Sequence, residues 1–195
     1  MSLHRHSGRA AVLVSVSLLL PAAVTNGAGA VAPPAKVDPV RYAGDWYQIA
    51  AIPQLFELQC KKNVRARYTP RTDGTLGVRN TCATWWGSAS TVNGAARPLD
   101  STNTRFNVSF VPRSGGGYVP GEEANYVIVG IAADYRWAAV TNEDRTAGFL
   151  LSRTPSLRGD DTADAVSAFD EAGVRACDLR LTRQDGGAQG SAPLC

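Results

Sequence analysis

Histidine is nearly missing from this chain of 195 residues: both copies, His4 and His6, stand at its start, and the one methionine is Met1. The first thirty residues read as a secretory leader. Arg5 and Arg9 form a basic head, Ala10 to Val24 (AAVLVSVSLLLPAAV) an apolar run, and Ala28-Gly29-Ala30 a small-residue cleavage site. Once the leader is removed, neither histidine nor methionine is left. That excludes His-based acid–base catalysis, Ser-His-Asp and Cys-His nucleophiles, and His-ligated zinc or haem. No metal and no cofactor are expected. A haem would need a Tyr or a free Cys as its axial ligand.

Long hydrophobic runs are also scarce. The apolar run of the leader is too short to span a bilayer comfortably. No cysteine precedes Cys60, so no thiol stands near the cleavage site to carry a lipid anchor. The expected mature protein of about 165 residues is one domain, long enough to bury a single core. Its formal charge falls from +3 to near +1, because the leader carries two of the 20 basic residues and none of the 17 acids. Such a balance gives no electrostatic footprint for nucleic acid. The expected location is outside the cytoplasm, either secreted or periplasmic at the cell envelope, and soluble.

What is present includes four cysteines, Cys60, Cys82, Cys177 and Cys195. An even count in an exported chain implies disulfides, with three possible pairings. In KNVRARY, Val64, Ala66 and Tyr68 share a strand face that reaches back to Cys60; in TLGVRNTC, Leu76, Val78 and Cys82 share another. A hairpin turning around Pro70–Asp73 sets Val64 opposite Val78 and Cys60 opposite Cys82. Pairing 60–82 with 177–195 is therefore preferred, and a bridge from Cys60 to Cys195 is the rival.

After a Pro- and Ala-rich lead-in (31–40), expected to be poorly ordered, short segments alternate with period two between turn signals. Strands are expected near 46–52, 63–69, 75–82, 89–96, 104–111, 125–132, 135–141, 148–153 and 178–183. Turns are expected at Asp73-Gly74, Asn93-Gly94, Ser114–Gly117 and Asn142–Asp144. NYVIVGIAA is apolar on both faces and should be covered on both. DDTADAVSAFDEAGV instead has helical spacing through Ala165, Val166, Phe169 and Ala172, with acids crowding its start and Gly173 placed as a C-cap. The fold class is all-β: an eight-stranded antiparallel up-and-down barrel with one C-terminal helix and a short ninth strand. The barrel occupies 41–184, and 185–195 is a tail tied by a disulfide.

Three motifs sit on these elements. Gly44-Asp45-Trp46 resembles the G-x-W signature that opens the first strand of lipocalins. Asp134-Tyr135 resembles the family's second signature, between strands six and seven, and Arg153 in LSRTP resembles the third, at the end of strand eight. The phrases GDWYQIA, DYRWA and LSRTP are most similar to those of the bacterial lipocalins related to apolipoprotein D. Many of those are lipid-anchored in the outer membrane, whereas this chain lacks the lipobox cysteine and carries four others. The resemblance implies that Arg153 lies across Trp46 at the closed end of a calyx, with Gly44 allowing a tight turn. It also implies a carrier of a small hydrophobic molecule, first a fatty acid or lysophospholipid, next an isoprenoid or pigment.

Alternation nominates the cavity wall: Tyr68, Val78, Trp85, Trp86, Phe106, Val108, Phe110, Tyr126, Ile128 and Trp137. Trp85 and Trp86 are adjacent, so at most one faces inward on a regular strand, whereas both line the mouth if the segment is a loop. Arg65, Arg67 and Arg79 fall on the opposite parity; this basic face is solvated, or it meets anionic headgroups at a membrane surface. The helix-start acids need only a capping role, and Asn107-Val108-Ser109 carries no weight as a glycosylation site. Two other functions stand beside the carrier: a protein-interaction module using the barrel mouth, and an isomerase-type enzyme using a buried Tyr or acid.

Overall fold

The computed structural model describes Met1 and residues 33–195; the leader expected over 1–30 lies outside the described residues apart from Met1. A four-residue helix α1 (Pro39–Tyr42) leads into β1 (Gly44–Ala51). β2 (Cys60–Pro70), β3 (Leu76–Thr84), β4 (Ala89–Pro98), β5 (Arg105–Ser109), β6 (Tyr126–Ile131), β7 (Trp137–Thr141) and β8 (Gly148–Ser152) follow. Each is antiparallel to the next, and β1 pairs with both β8 and β2, which closes an eight-stranded barrel. Helix α2 (Gly159–Glu171) packs outside it, and β9 (Arg180–Leu181) completes the order.

β1 is shared between neighbours. Its start, Gly44–Tyr47, pairs with β2; its end, Ala50 and Ala51, pairs with β9 where β2 has diverged. The Gln184 amide bridges the split, donating to the carbonyls of Gln48 and Val64, both at 2.9 Å.

Two apolar clusters lie on the two sides of the sheet. The interior holds Trp46, Tyr68, Leu76, Val78, Phe106, Ile128, Val140 and Leu151. The outer cluster joins Trp137, Val129 and Leu150 to Ala165, Ala168 and Phe169 of α2. The run over β6 is therefore covered on both faces, as its composition implies. Gly130 is what lets α2 approach: a Cβ there would meet Ala168 at 2.5 Å. Gly173 (φ +77°) ends α2 with a Schellman pattern, Val174 N–H donating to Phe169 at 2.9 Å.

Several expectations need correction. The lead-in is held from Val37 onward: Val37 is fully buried and its N–H donates to Thr102 at 2.8 Å. Asp38 caps α1 by accepting from Val40, with Pro39 in the first turn. The β2–β3 hairpin turns later than expected, over Arg71–Thr75, so that Tyr68 faces Val78. Bulges between Cys60 and Arg65, with Asn63 at φ +59°, then absorb the slip. Cys60 therefore still bridges Cys82, with the Cα atoms 5.6 Å apart, and Cys177 bridges Cys195. Asn93-Gly94 lies inside β4, not in a turn. A Cβ at Gly94 would sit 2.5 Å from the Ser109 carbonyl and 2.7 Å from the Phe110 ring, so close packing explains this glycine. Finally, Asp161 is no simple cap: it is buried and takes hydrogen bonds from Arg136 and Arg158.

Candidate ligand-binding calyx

One end of the barrel is sealed. The Arg153 guanidinium lies 3.8 Å from the Trp46 ring centroid. It also donates to the carbonyls of Asp45 (2.9 Å), Arg41 (2.7 Å), Tyr42 and Tyr135 (both 3.2 Å). Trp46 Nε1 donates to Tyr42 O at 2.8 Å. Gly44 has φ +97°, and a Cβ there would stand 3.3 Å from the guanidinium. Tyr135, at φ +63°, is buried, and its hydroxyl accepts from Asp38 N–H at 2.9 Å. Asp134 stays outside, paired with Arg136 at 2.9 Å. Burial draws the Arg153 pKa down, opposed by Tyr42 and Asp45.

Above the seal the interior carries phenols. Tyr68 donates to the Tyr126 hydroxyl at 2.9 Å, and the Tyr42 and Tyr126 hydroxyls lie 2.6 Å apart. Three hydroxyls thus share two hydrogen bonds, which leaves one O–H proton without a protein acceptor among the described residues. Desolvation pushes Tyr68 up to about 12 and Tyr42 and Tyr126 well above the ordinary phenol value, so all three stay neutral. Ala66, Val108, Tyr126 and Phe149 pack against the interior apolar cluster while remaining only partly buried.

Nearer the other end, the inward-facing Gln48 donates to Glu57 at 3.1 Å and to Thr182 at 3.0 Å. Glu57 hangs from the 3-10 turn Leu55–Glu57 in the β1–β2 loop; burial raises its pKa, partly offset by Gln48. Among the described residues no group of His, Cys, Asp and Glu is placed to hold a metal ion.

Of the ten nominated wall residues, Tyr68, Val78, Phe106, Val108, Tyr126 and Ile128 fall in the interior cluster. Trp137 does not: it packs beneath α2, beside Gly130, on the outside. Both faces of β7 are apolar and buried, so parity could not orient it. Trp85 and Trp86 occupy the β3–β4 turn and are exposed. Phe110 lies just past β5, 38 % exposed, its ring over Gly94. Arg65, Arg67 and Arg79 are exposed, with Arg65 stacked 4.2 Å from the Tyr47 ring and Arg67 3.6 Å from Asp45. Asn107 is buried under the 120–123 segment, donating to Glu123 O at 2.8 Å and accepting from Gly121 N–H at 2.7 Å.

The sequence reading missed Tyr42, Gln48 and Glu57. Gln48 shares the parity of Trp46 and was findable; Tyr42 needed the cap at Asp38; Glu57 reaches inward from a loop that no periodicity covers.

The model of the lipocalin-like domain matches residues 37–184, nearly all of this architecture. The chain belongs to the lipocalin family. Temperature-induced lipocalin-1 of Arabidopsis thaliana is 30 % identical over 147 residues, spanning 74 % of this lipocalin and 77 % of the plant protein. The outer membrane lipoprotein Blc of Escherichia coli is 33 % identical over 125 residues, spanning 62 % of this lipocalin and 64 % of Blc. Among solved structures, lobster apocrustacyanin A1 superposes with a TM-score of 0.56 at 21 % identity, covering 80 % of this lipocalin and 92 % of that chain. Insecticyanin of the tobacco hornworm gives 0.57 at 18 % identity, covering 78 % and 83 %. These two share the fold.

Proposed function

We propose that this lipocalin is exported and carries a small hydrophobic ligand in its barrel. A fatty acid or lysophospholipid is the first class, an isoprenoid the next. The observation that carries this reading is the asymmetry of the barrel. One end is stoppered by Trp46 and Arg153, and towards the other the wall residues Val108 and Phe149 are apolar yet only partly buried. An apolar chain laid against them gains roughly 25 cal/mol per Å² removed from water.

The phenol cluster favours a particular ligand form. Its neutral lining imposes no ion pairing, and its one uncommitted O–H suits a ligand with an oxygen acceptor, such as a carboxyl or carbonyl. The reading includes no catalytic step: phenols held above their ordinary pKa are poor bases at neutral pH. Two disulfides suit an oxidising compartment, and a relative named as an outer membrane lipoprotein fits residence at a cell envelope.

The test is mass spectrometry of organic extracts from purified protein, paired with quenching of tryptophan emission by long-chain acyl ligands. A stoichiometric acyl lipid or isoprenoid with saturable quenching is expected. An empty extract and no quenching would overturn the carrier reading and move the weight to a protein-interaction role.

A further inference from the structure

Two loops stand at the end of the barrel opposite the Trp46–Arg153 seal, and they are built as one piece. The β1–β2 loop carries Leu55, Phe56 and Leu58; the β3–β4 turn carries Trp85 and Trp86. The Trp85 indole N–H donates to Leu58 O at 3.1 Å, and its backbone N–H donates to Gln59 O at 3.3 Å. The Cys60–Cys82 bridge joins the strands directly beneath. Gln54 Nε2 adds a bond to Thr146 O at 3.2 Å, tying the loop to the β7–β8 turn.

This stapled tip leaves five large apolar side chains in water. They range from 55 % exposed at Trp85 to 85 % at Leu55, with Phe56, Leu58 and Trp86 between. None of the five belongs to either apolar cluster of the barrel. Exposed apolar surface on this scale marks a contact site. Its charges name the partner. Over 53–62 and 82–90 the only acid is Glu57, which is turned inward to Gln48. The cations are Lys61, exposed with its ammonium 6.0 Å from the Trp85 ring, and Lys62, whose charge is shared with Asp185 at 2.7 Å, so Lys61 is the one that faces a headgroup. Paired tryptophans with a polar edge, flanked by Phe, Leu and lysine, suit the boundary between headgroups and acyl chains.

We infer that Leu55, Phe56, Leu58, Trp85 and Trp86 form a tip that inserts into the interface of an anionic lipid bilayer. The inference rests on the carrier reading above and adds to it the surface from which ligand is taken or to which it is delivered. Insertion at the open end puts the calyx against the acyl layer, so a ligand passes without crossing bulk water. The basic face of Arg65, Arg67 and Arg79 is not needed.

The probe is vesicles of phosphatidylcholine with and without about one-third phosphatidylglycerol, some with brominated acyl chains. The wild-type protein is expected to sediment with the anionic vesicles, to be quenched by the brominated chains, and to bind less well to pure phosphatidylcholine. The double variant Phe56→Ser/Trp86→Ser, checked for a native urea transition, is expected to lose about tenfold or more in vesicle affinity. Its uptake of a fatty acid from buffer is expected to be unchanged. No vesicle binding by the wild type, or equal binding by the variant, overturns the inference while leaving the carrier reading intact. Loss of fatty-acid uptake by the wild type in buffer instead sinks the carrier reading. A concentration-dependent dimer, abolished by the same substitutions and without vesicle binding, would assign the tip to a second copy of the chain.

Discussion

Arg153 reaches four backbone carbonyls and one indole face from a single position, and no other side chain matches that geometry. A lysine keeps the charge but offers neither the planar fork nor the stacking surface. Arg153→Lys is therefore expected to lower stability by about 2–3 kcal/mol, read from urea denaturation. An unchanged midpoint would mean that the seal contributes nothing beyond its charge. Glu57 gives a second test at this scale. Its folded pKa lies above the ordinary 4.5 because it is desolvated. The folded chain thus holds the proton more tightly than the unfolded one. The stability linked to that proton is fully present below about pH 4.5 and is lost as pH rises through the higher folded value. Glu57→Gln should remove this loss, so the difference in urea midpoint should grow in the variant's favour as pH rises from 4 to 7. A difference independent of pH would show that Glu57 ionises in the folded state as it does when free.

Among the elements, β4 and β5 approach closely at Gly94. Gly94→Ala places a methyl against the Ser109 carbonyl and the Phe110 ring, and is expected to cost about 1–3 kcal/mol, while Asn93→Ala on the exposed side should be nearly neutral. Equal, small effects in urea denaturation would show that the close approach at Gly94 relaxes at no cost. The same strands explain what alternation can and cannot tell. In β5 the exposed Arg105 and the interior Phe106 and Val108 declare the inner face, and the strand falls where it was expected. In β7 every residue is buried, so the pattern is silent and Trp137 was placed on the wrong side. Register failed in β2 because the hairpin turns later than its turn residues suggest, over Arg71–Thr75, and the compensating bulges near Asn63 leave no trace in hydrophobicity. The turn at Trp85-Trp86 was ambiguous for a related reason: aromatic residues favour strands, and only the closing Gly87 (φ +84°) marks the reversal. The sealed end was legible because its motifs are local. The lining was not, because Tyr42, Tyr68 and Tyr126 meet only once the barrel has closed.

For the whole molecule, the two disulfides act at opposite places. Cys60–Cys82 spans 22 residues at the barrel end opposite the Trp46–Arg153 seal, and Cys177–Cys195 spans 18 residues outside the barrel, beside β9. Each is expected to contribute about 3 kcal/mol by restricting the unfolded chain. Paired Ser substitutions should thus cost similar amounts in urea. Only the Cys60/Cys82 pair should also weaken vesicle binding, because only that bridge holds the apolar tip. If the Cys177/Cys195 variant lost vesicle binding equally, the tip would not be an autonomous unit.

The split strand β1 has a consequence for how the chain becomes a barrel. Its start is matched by the adjacent β2, but its end waits for β8 and for β9, and the Gln184 amide that fills the split binds a carbonyl 136 residues upstream. Closure therefore waits for residues 148–184, and a nascent barrel lacking them has an open seam. Contacts so distant in sequence make for slow folding, on the order of milliseconds to seconds. For a chain that is exported as proposed, this delay keeps the polypeptide threadable until β8, β9 and Gln184 have been made.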